Sequence, residues 1–438
     1  MNLGFYGIEL NNKVSSVSVK NSRESTILLD CGVDPKNPDK LIFPKKLVKN
    51  INAIFITHAH RDHWGALPNL LRKKYENKIY MTPPTHEILK KYSIKAQFSF
   101  LQKDQKDNYA NFFHQMEDLI IEKEYGELIS VEDFKIYFIP ANHILGSAQI
   151  LIFDKDSRKQ ILYTGDFNPG KNYLFDDLEI ENIENKYNLE INPDFVIMEC
   201  SNIDQNEESF KKEEKKFINR VNKTYENMGN VLIPAKAIGN AQEFLIRYLT
   251  YCLEDRIMMP NEIFTSGSLT EINNIYYKYI ENFRDPSLIN LLREKLVIKN
   301  FQDYIGRNFD GMEDLFFENE YNFGIKLFIA TGGNLKGGSS KRIYNKLQHK
   351  PKNLIIMPKV HRKLNCKAEV LNLSIFSLHG GFKSIKDYIR EIENRHKKKS
   401  IYFLIHGYYK NLEKMKKYLD LEEIESIIPK VGDKYKGN

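Results

Sequence analysis

Residues 55–65 read FITHAHRDHWG: three histidines and an aspartate stand within six positions, in a chain with 11 histidines among 438 residues. A run of imidazoles covers surface poorly and fills a core worse, because each ring buries polar atoms that need partners. The spacing suits coordination. His58 and His60 alternate along an extended segment and project to one side, as side chains two apart do, and adjacent Asp62 and His63 can face a neighbouring point. One loop thus offers two pairs of donors. Nitrogen and carboxylate oxygen without thiolate suit Zn²⁺, with Mn²⁺ or Fe as alternatives.

Two ions need more ligands than one loop holds, and the rest of the sequence supplies them. Apolar runs of strand length end in a histidine or an acid: AIFIT before His58, FKIYFIPA before Asn142-His143, ILYTG before Asp166, DFVIM before Glu199, LSIFSL before His379 and IYFLI before His406. Open α/β sheets carry their sites at strand carboxyl ends, where loops converge over a rigid support. His143, Asp166 and His406 complete a two-ion set. The other five histidines (His86, His114, His349, His361 and His396) sit in polar or helical contexts and are expected to be structural or surface residues. Two divalent ions about 3.5–4 Å apart can share a bridging hydroxide and bring its pKa towards neutrality. The net positive charge left at such a site favours a phosphodiester over a neutral amide.

Composition sets the frame. Hydrophobic residues form 42% of the chain and aromatics 12%, as in a globular enzyme with room for two or more domains. No run of 18 apolar residues indicates a membrane span, and the opening MNLGFYGIELNN has no leader-like pattern. Cys31, Cys200, Cys252 and Cys366 form no CxxC pair, which suits a reducing, cytoplasmic setting. The net charge is +7, but Lys336 to Lys367 holds ten Lys or Arg and no acid, leaving −3 elsewhere. Such a block is a solvated face or a polyanion contact. After residue 205, strands run directly into helices, as in GNVLIPAKAIGNAQEFLIRYLTYCL, which predicts a parallel, doubly wound sheet.

THAHRDHWGALP resembles the HxHxDH signature of the metallo-β-lactamase superfamily, and NHILGSAQILI and ILYTGDF resemble its third and fourth motifs. Glu199, His379 in IFSLHGG and His406 in FLIHG fall where the β-CASP branch, which includes ribonuclease J, carries its motifs A, B and C. The resemblance implies an α/β fold: a metallo-β-lactamase αββα sandwich in residues 1–205 and 351–438, with a Rossmann-like β-CASP cap inserted at 206–350. It further implies one Zn²⁺ on His58, His60 and His143, another on Asp62, His63 and His406, and Asp166 bridging. His379, Glu199 and Asp62 are the implied catalytic side chains, His379 beside the scissile phosphate and Glu199 orienting it. A histidine at motif C goes with RNA, and a homodimer is usual in the family.

The substrate-handling motifs depart from the family pattern. CSNI follows Glu199 in place of Ser-Thr-Tyr-Gly, Gly239-Asn240-Ala241-Gln242 replaces Gly-Arg-Ala-Gln, and KVHRKLNCK replaces a Gly- and Arg-bearing loop. The basic block is placed to compensate, through backbone contacts to RNA: Lys336, Ser339, Ser340, Lys341, Arg342, Arg362 and Lys363 are the candidates. TGGNLKGGSSKR, residues 331–342, reads either as a phosphate cradle or as a plain turn with Ser339 or Ser340 as N-cap. The leading expectation is a zinc-dependent ribonuclease. The alternatives are a hydrolase of DNA or another phosphate ester, and a non-catalytic RNA-binding subunit.

Overall fold

The apolar runs of the first two hundred residues pair into two facing sheets. The computed structural model describes residues 1–6, 15–33, 45–71, 73–93, 114–170, 172–204, 207–266, 268–295, 298–300, 324–358, 364–395 and 399–437. The first sheet contains β1 (Asn2–Tyr6), β2 (Ser16–Lys20), β3 (Thr26–Leu29), β4 (Ala53–Phe55), β5 (Lys78–Met81) and β6 (Ile120–Glu122) in that order, with β20 (Lys434–Lys436) beside β1. The second contains β7 (Ile129–Val131), β8 (Phe134–Pro140), β9 (Ala148–Asp154), β10 (Lys159–Tyr163), β11 (Phe195–Glu199), β18 (Ile401–Ile405) and β19 (Ser426–Ile427).

Leu3, Phe5, Val17, Ile27 and Phe55 of the first sheet pack with Phe134, Ile136, Ile150, Ile161 and Phe403 of the second in one buried layer. The second sheet's other face is covered by helices. Phe382–Glu393 buries Ile385, Tyr388, Ile389 and Ile392, the spacing of one helical stripe. Tyr409–Leu421 adds Leu412, Met415 and Leu419 to the same layer. Removing one such side chain, as in Ile389→Ala, costs about 2–5 kcal/mol.

The chain divides into two compact units, one of Met1–Lys171, Asp177–Asp204 and His379–Asn438, the other of Asn172–Asp176 and Gln205–Leu378. The second unit is built on a parallel six-stranded sheet, in the order β14 (Ile298–Asn300), β13 (Glu262–Ser266), β15 (Lys326–Thr331), β12 (Val231–Ala235), β16 (Leu354–Pro358) and β17 (Glu369–Leu373). The expected boundary at residue 350 is therefore moved: the return comes at His379, because β16 and β17 extend the second unit's sheet. LSIFSL is likewise no strand, since β17 stops at Leu373 and His379 follows a loop. Among the described residues no helix is long and apolar enough to cross a membrane.

Candidate metal centre

Strands β8 and β10 both run antiparallel to β9, and β10, β11 and β18 are mutually parallel. Their carboxyl ends therefore share one rim, and this brings together His143, Asp166, Glu199 and His406, which are separated by up to 263 positions in sequence. The FITHAHRDHWG loop meets them from the end of β4, joined by Ala148 N donating to Thr57 O at 2.9 Å. Left-handed residues turn the chain at these ends: Asp30 at φ 59°, Asn142 at 57°, Gly165 at 53° and His406 at 50°. A Cβ on Gly165 would lie 2.8 Å from the Thr57 side chain, and one on Gly407 would lie 2.6 Å from Cys200 O, so both close approaches need glycine. Trp64 is fully buried and donates Nε1–H to Ala59 O at 3.0 Å, pinning the histidine loop.

His58, His60, His143 and Asp166 form one donor group, and Asp62, His63 and His406 another. In the first, His60 Nδ1 is 3.1 Å from both His58 Nε2 and His143 Nε2, and Asp166 Oδ2 is 3.7 and 3.6 Å from those two nitrogens. A tetrahedron of zinc–ligand bonds of about 2.05 Å has edges of about 3.3 Å, close to these separations. In the second, His63 Nε2 is 3.4 Å from Asp166 Oδ1, and His406 Nε2 is 3.6 Å from Asp62 Oδ2. Among the described residues, His63 Nε2 is buried without a hydrogen bond, and it shares the buried Asp166 Oδ1 with His406 Nδ1, 2.9 Å away. Buried donor atoms that face one another with no partner of their own fit a cation between them.

Behind these atoms lies a layer that the sequence reading missed. Asp30, fully buried at the end of β3, has Oδ2 2.7 Å from His63 Nδ1. It accepts from Thr57 N at 2.8 Å, from the Thr57 hydroxyl at 2.9 Å and from the Tyr163 hydroxyl at 2.7 Å. Thr57 Oγ1 in turn is 3.0 Å from His58 Nδ1. With Nδ1–H directed at these oxygens, each ring turns its Nε2 towards the cluster. The signal was present: STILLDCG is another apolar strand ending in an acid. Ser201, also missed, donates its hydroxyl to His406 O at 2.7 Å.

Glu199 Oε1 is 2.7 Å from His379 Nδ1 and accepts from Phe167 N at 3.1 Å, while Oε2 accepts from Ser201 N at 2.8 Å. The His379 and His143 rings are 4.5 Å apart, and His379 Nδ1 is 3.9 Å from Asp166 Oδ2.

Four carboxylates, of Asp30, Asp62, Asp166 and Glu199, share this volume, and among the described residues none pairs with Lys or Arg. Burial opposes the charge on Asp166, yet His406 and His63 hold its carboxyl well below the usual range. Against their own burial, His63 is pushed well above the usual imidazole value by Asp166 and Asp30, and His406 to about 9 by Asp166. His58 is pushed down by burial and by His63. The cluster demands positive charge, as protons or as metal.

The expected RNA contacts have mixed fates. Lys336 and Arg342 are exposed, and the Lys341 ammonium sits 5.0 Å from the Tyr344 ring centre. The helix Gly338–Leu347 begins with Gly337 as N-cap and no side-chain cap bond, so neither Ser339 nor Ser340 caps it. Ser340 is buried and its hydroxyl donates to Gly332 O at 2.7 Å, which removes it from any RNA surface. Arg362 and Lys363 lie outside the described residues.

Residues 10–191 match the family model of Anti-Pycsar protein Apyc1, and residues 363–429 match that of the Zn-dependent metallo-hydrolase RNA specificity domain. An RNase J-like protein of Methanocaldococcus jannaschii is 30% identical over 432 residues, covering 96% of this chain and 90% of that protein. Integrator complex subunit 11 of Danio rerio is 28% identical, covering 93% of this chain and 69% of that protein. A crystal structure of a protein of unknown function from Enterococcus faecalis V583 superposes with a TM-score of 0.57 over 99% of both chains, at 14% identity, a likeness of fold. An ordered rim of histidines and carboxylates, on a chain alike over nearly its whole length, identifies a member of the β-CASP branch of the metallo-β-lactamase superfamily, a metal-dependent hydrolase of the RNase J-like nuclease kind.

Proposed function

We propose that this chain hydrolyses RNA phosphodiester bonds with two Zn²⁺ ions, Mn²⁺ being the alternative metal. His58, His60, His143 and Asp166 would hold one ion, and Asp62, His63, His406 and Asp166 the other. The metals supply water activation near neutral pH and neutralise charge growing on phosphate oxygens. Carrying this reading is the convergence of both donor groups on Asp166, whose two oxygens face opposite sets: Oδ2 towards His58 and His143, Oδ1 towards His63 and His406.

The chain's own side chains do the rest. Glu199, fixed by two backbone N–H groups, accepts the Nδ1–H hydrogen bond of His379 and so favours its imidazolium form, whose Nε2–H is the proton available to a leaving oxygen. Lys336, Lys341, Arg342 and Ser339 are proposed backbone contacts for RNA. A reducing, cytoplasmic setting suits four free cysteines, and a homodimer is the expectation to check by light scattering.

Matched RNA and DNA oligonucleotides with 5′-phosphate or 5′-hydroxyl ends test the proposal. RNA should be cut, chelation should stop it and zinc restore it. His60→Ala and Asp166→Ala should each abolish cutting while the far-ultraviolet circular dichroism stays native. Full activity in either variant overturns the site, and equal cutting of DNA overturns the substrate class.

A further inference from the structure

Strands β8, β10, β11 and β18 begin at the end of their sheet opposite the metal centre, about 20 Å away along β8 at about 3.3 Å per residue. A cavity of about 880 Å³ opens there, entirely within the first unit. Lys135, Arg158, Lys159, Arg395, Lys399 and Lys436 border it against two acids, Glu190 and Asp194. That is a net +4 at one place, in a chain whose total is +7.

Some of these charges have structural work. Arg395 pairs with Glu184, Lys399 donates to Glu423 O at 3.3 Å, and Lys159 lies 5.3 Å from the Phe195 ring centre. Asp194 is occupied as well, accepting from Gln160 N at 2.9 Å. Lys135, Arg158 and Lys436 differ: they are exposed and form no ion pair among the described residues. Arg158 also keeps a left-handed backbone, φ 56°, at a turn where glycine or asparagine would sit with less strain. Between the cations stand the half-buried rings of Tyr137, Phe153 and Tyr435.

We propose that this cavity is a second nucleic-acid site, an exosite that holds a few nucleotides of single-stranded RNA away from the scissile bond. Unpaired cations suit phosphates, and rings among them suit base faces, which a duplex conceals. The identity of the strand as RNA rests on the ribonuclease reading; the binding itself does not.

The test uses the full chain in EDTA, so that binding is read without cleavage. Anisotropy is measured with a labelled unstructured 20-nucleotide RNA against Lys135→Ala/Arg158→Ala/Lys436→Ala, with Arg158→Gly as a variant that relieves the backbone. The triple variant should bind about tenfold more weakly, and its slope of log affinity against log salt should shrink by about 2, at roughly 0.7 for each phosphate no longer neutralised. In zinc, its cutting of a hexanucleotide should match that of the parent chain. An unchanged affinity and slope overturn the exosite, as does an equal loss on the hexanucleotide or on duplex RNA. If no RNA is cut by any form, the ribonuclease reading fails while the anisotropy still decides the site.

Discussion

Asp30 Oδ2 stands 2.7 Å from Nδ1 of His63, with both residues fully buried, and that carboxylate also gathers Thr57 and Tyr163. The pair fixes which imidazole nitrogen faces the cluster. Asp30→Asn puts an amide donor against Nδ1–H, or forces the ring to flip its tautomer. Zinc affinity, read by competition with a coloured chelator, should fall about 10–100-fold. Tyr163→Phe removes one charge-assisted hydrogen bond to the same carboxylate and should cost about 1.5–3 kcal/mol of stability with zinc retained.

His379→Ala should slow turnover about 10²-fold or more while metal content, measured by mass spectrometry, stays within the parent's range. Loss of zinc as large as in His60→Ala would make His379 a ligand instead.

Metal removal should destabilise the fold, because four clustered carboxylates then depend on protonated histidines for counter-charge. Binding at about a thousandfold above Kd contributes about 4 kcal/mol. Thermal unfolding in EDTA should therefore begin several degrees lower, with zinc reversing the change.

Gly165→Ala should be costly out of proportion to one methyl group. The added Cβ meets Thr57 at 2.8 Å, on a backbone at φ 53°, for a cost of about 1–3 kcal/mol. Since Asp166 follows directly, zinc content should fall along with the unfolding temperature. A variant with unchanged zinc would show that the rim tolerates the shift.

Burial keeps Cys31, Cys200 and Cys252 as thiols: the first two are pushed far up and Cys252 to about 12. The thiolate is the reactive form, so at pH 8 these three should resist a thiol reagent. Native protein should show about one fast thiol, the part-exposed Cys366, and four after denaturation. Raising the pH towards 10 should increase the slow reactions first at Cys252.

Much of the centre was legible in the chain. Strand-to-histidine and strand-to-acid junctions are local signals, since a run such as IYFLI must bury its side chains and so delivers His406 to a strand end. The histidine loop carries four donors by spacing alone. Other features depend on partners remote in sequence. Asp30 ends an apolar run like the others, but only the approach of His63, 33 positions later, gives its carboxylate a role. Ser340 reads as a helix cap until Gly332 O claims its hydroxyl. The 378 boundary hides because β16 and β17 have the same apolar texture in either sheet, and only pairing decides which they join. Sequence by itself determined the donor types, their order and the strands that carry them. The tertiary structure decided which donors share an ion and which groups stand behind them, because hydrogen bonds and coordination depend on ångström-scale distances that strand pairing sets and residue order does not.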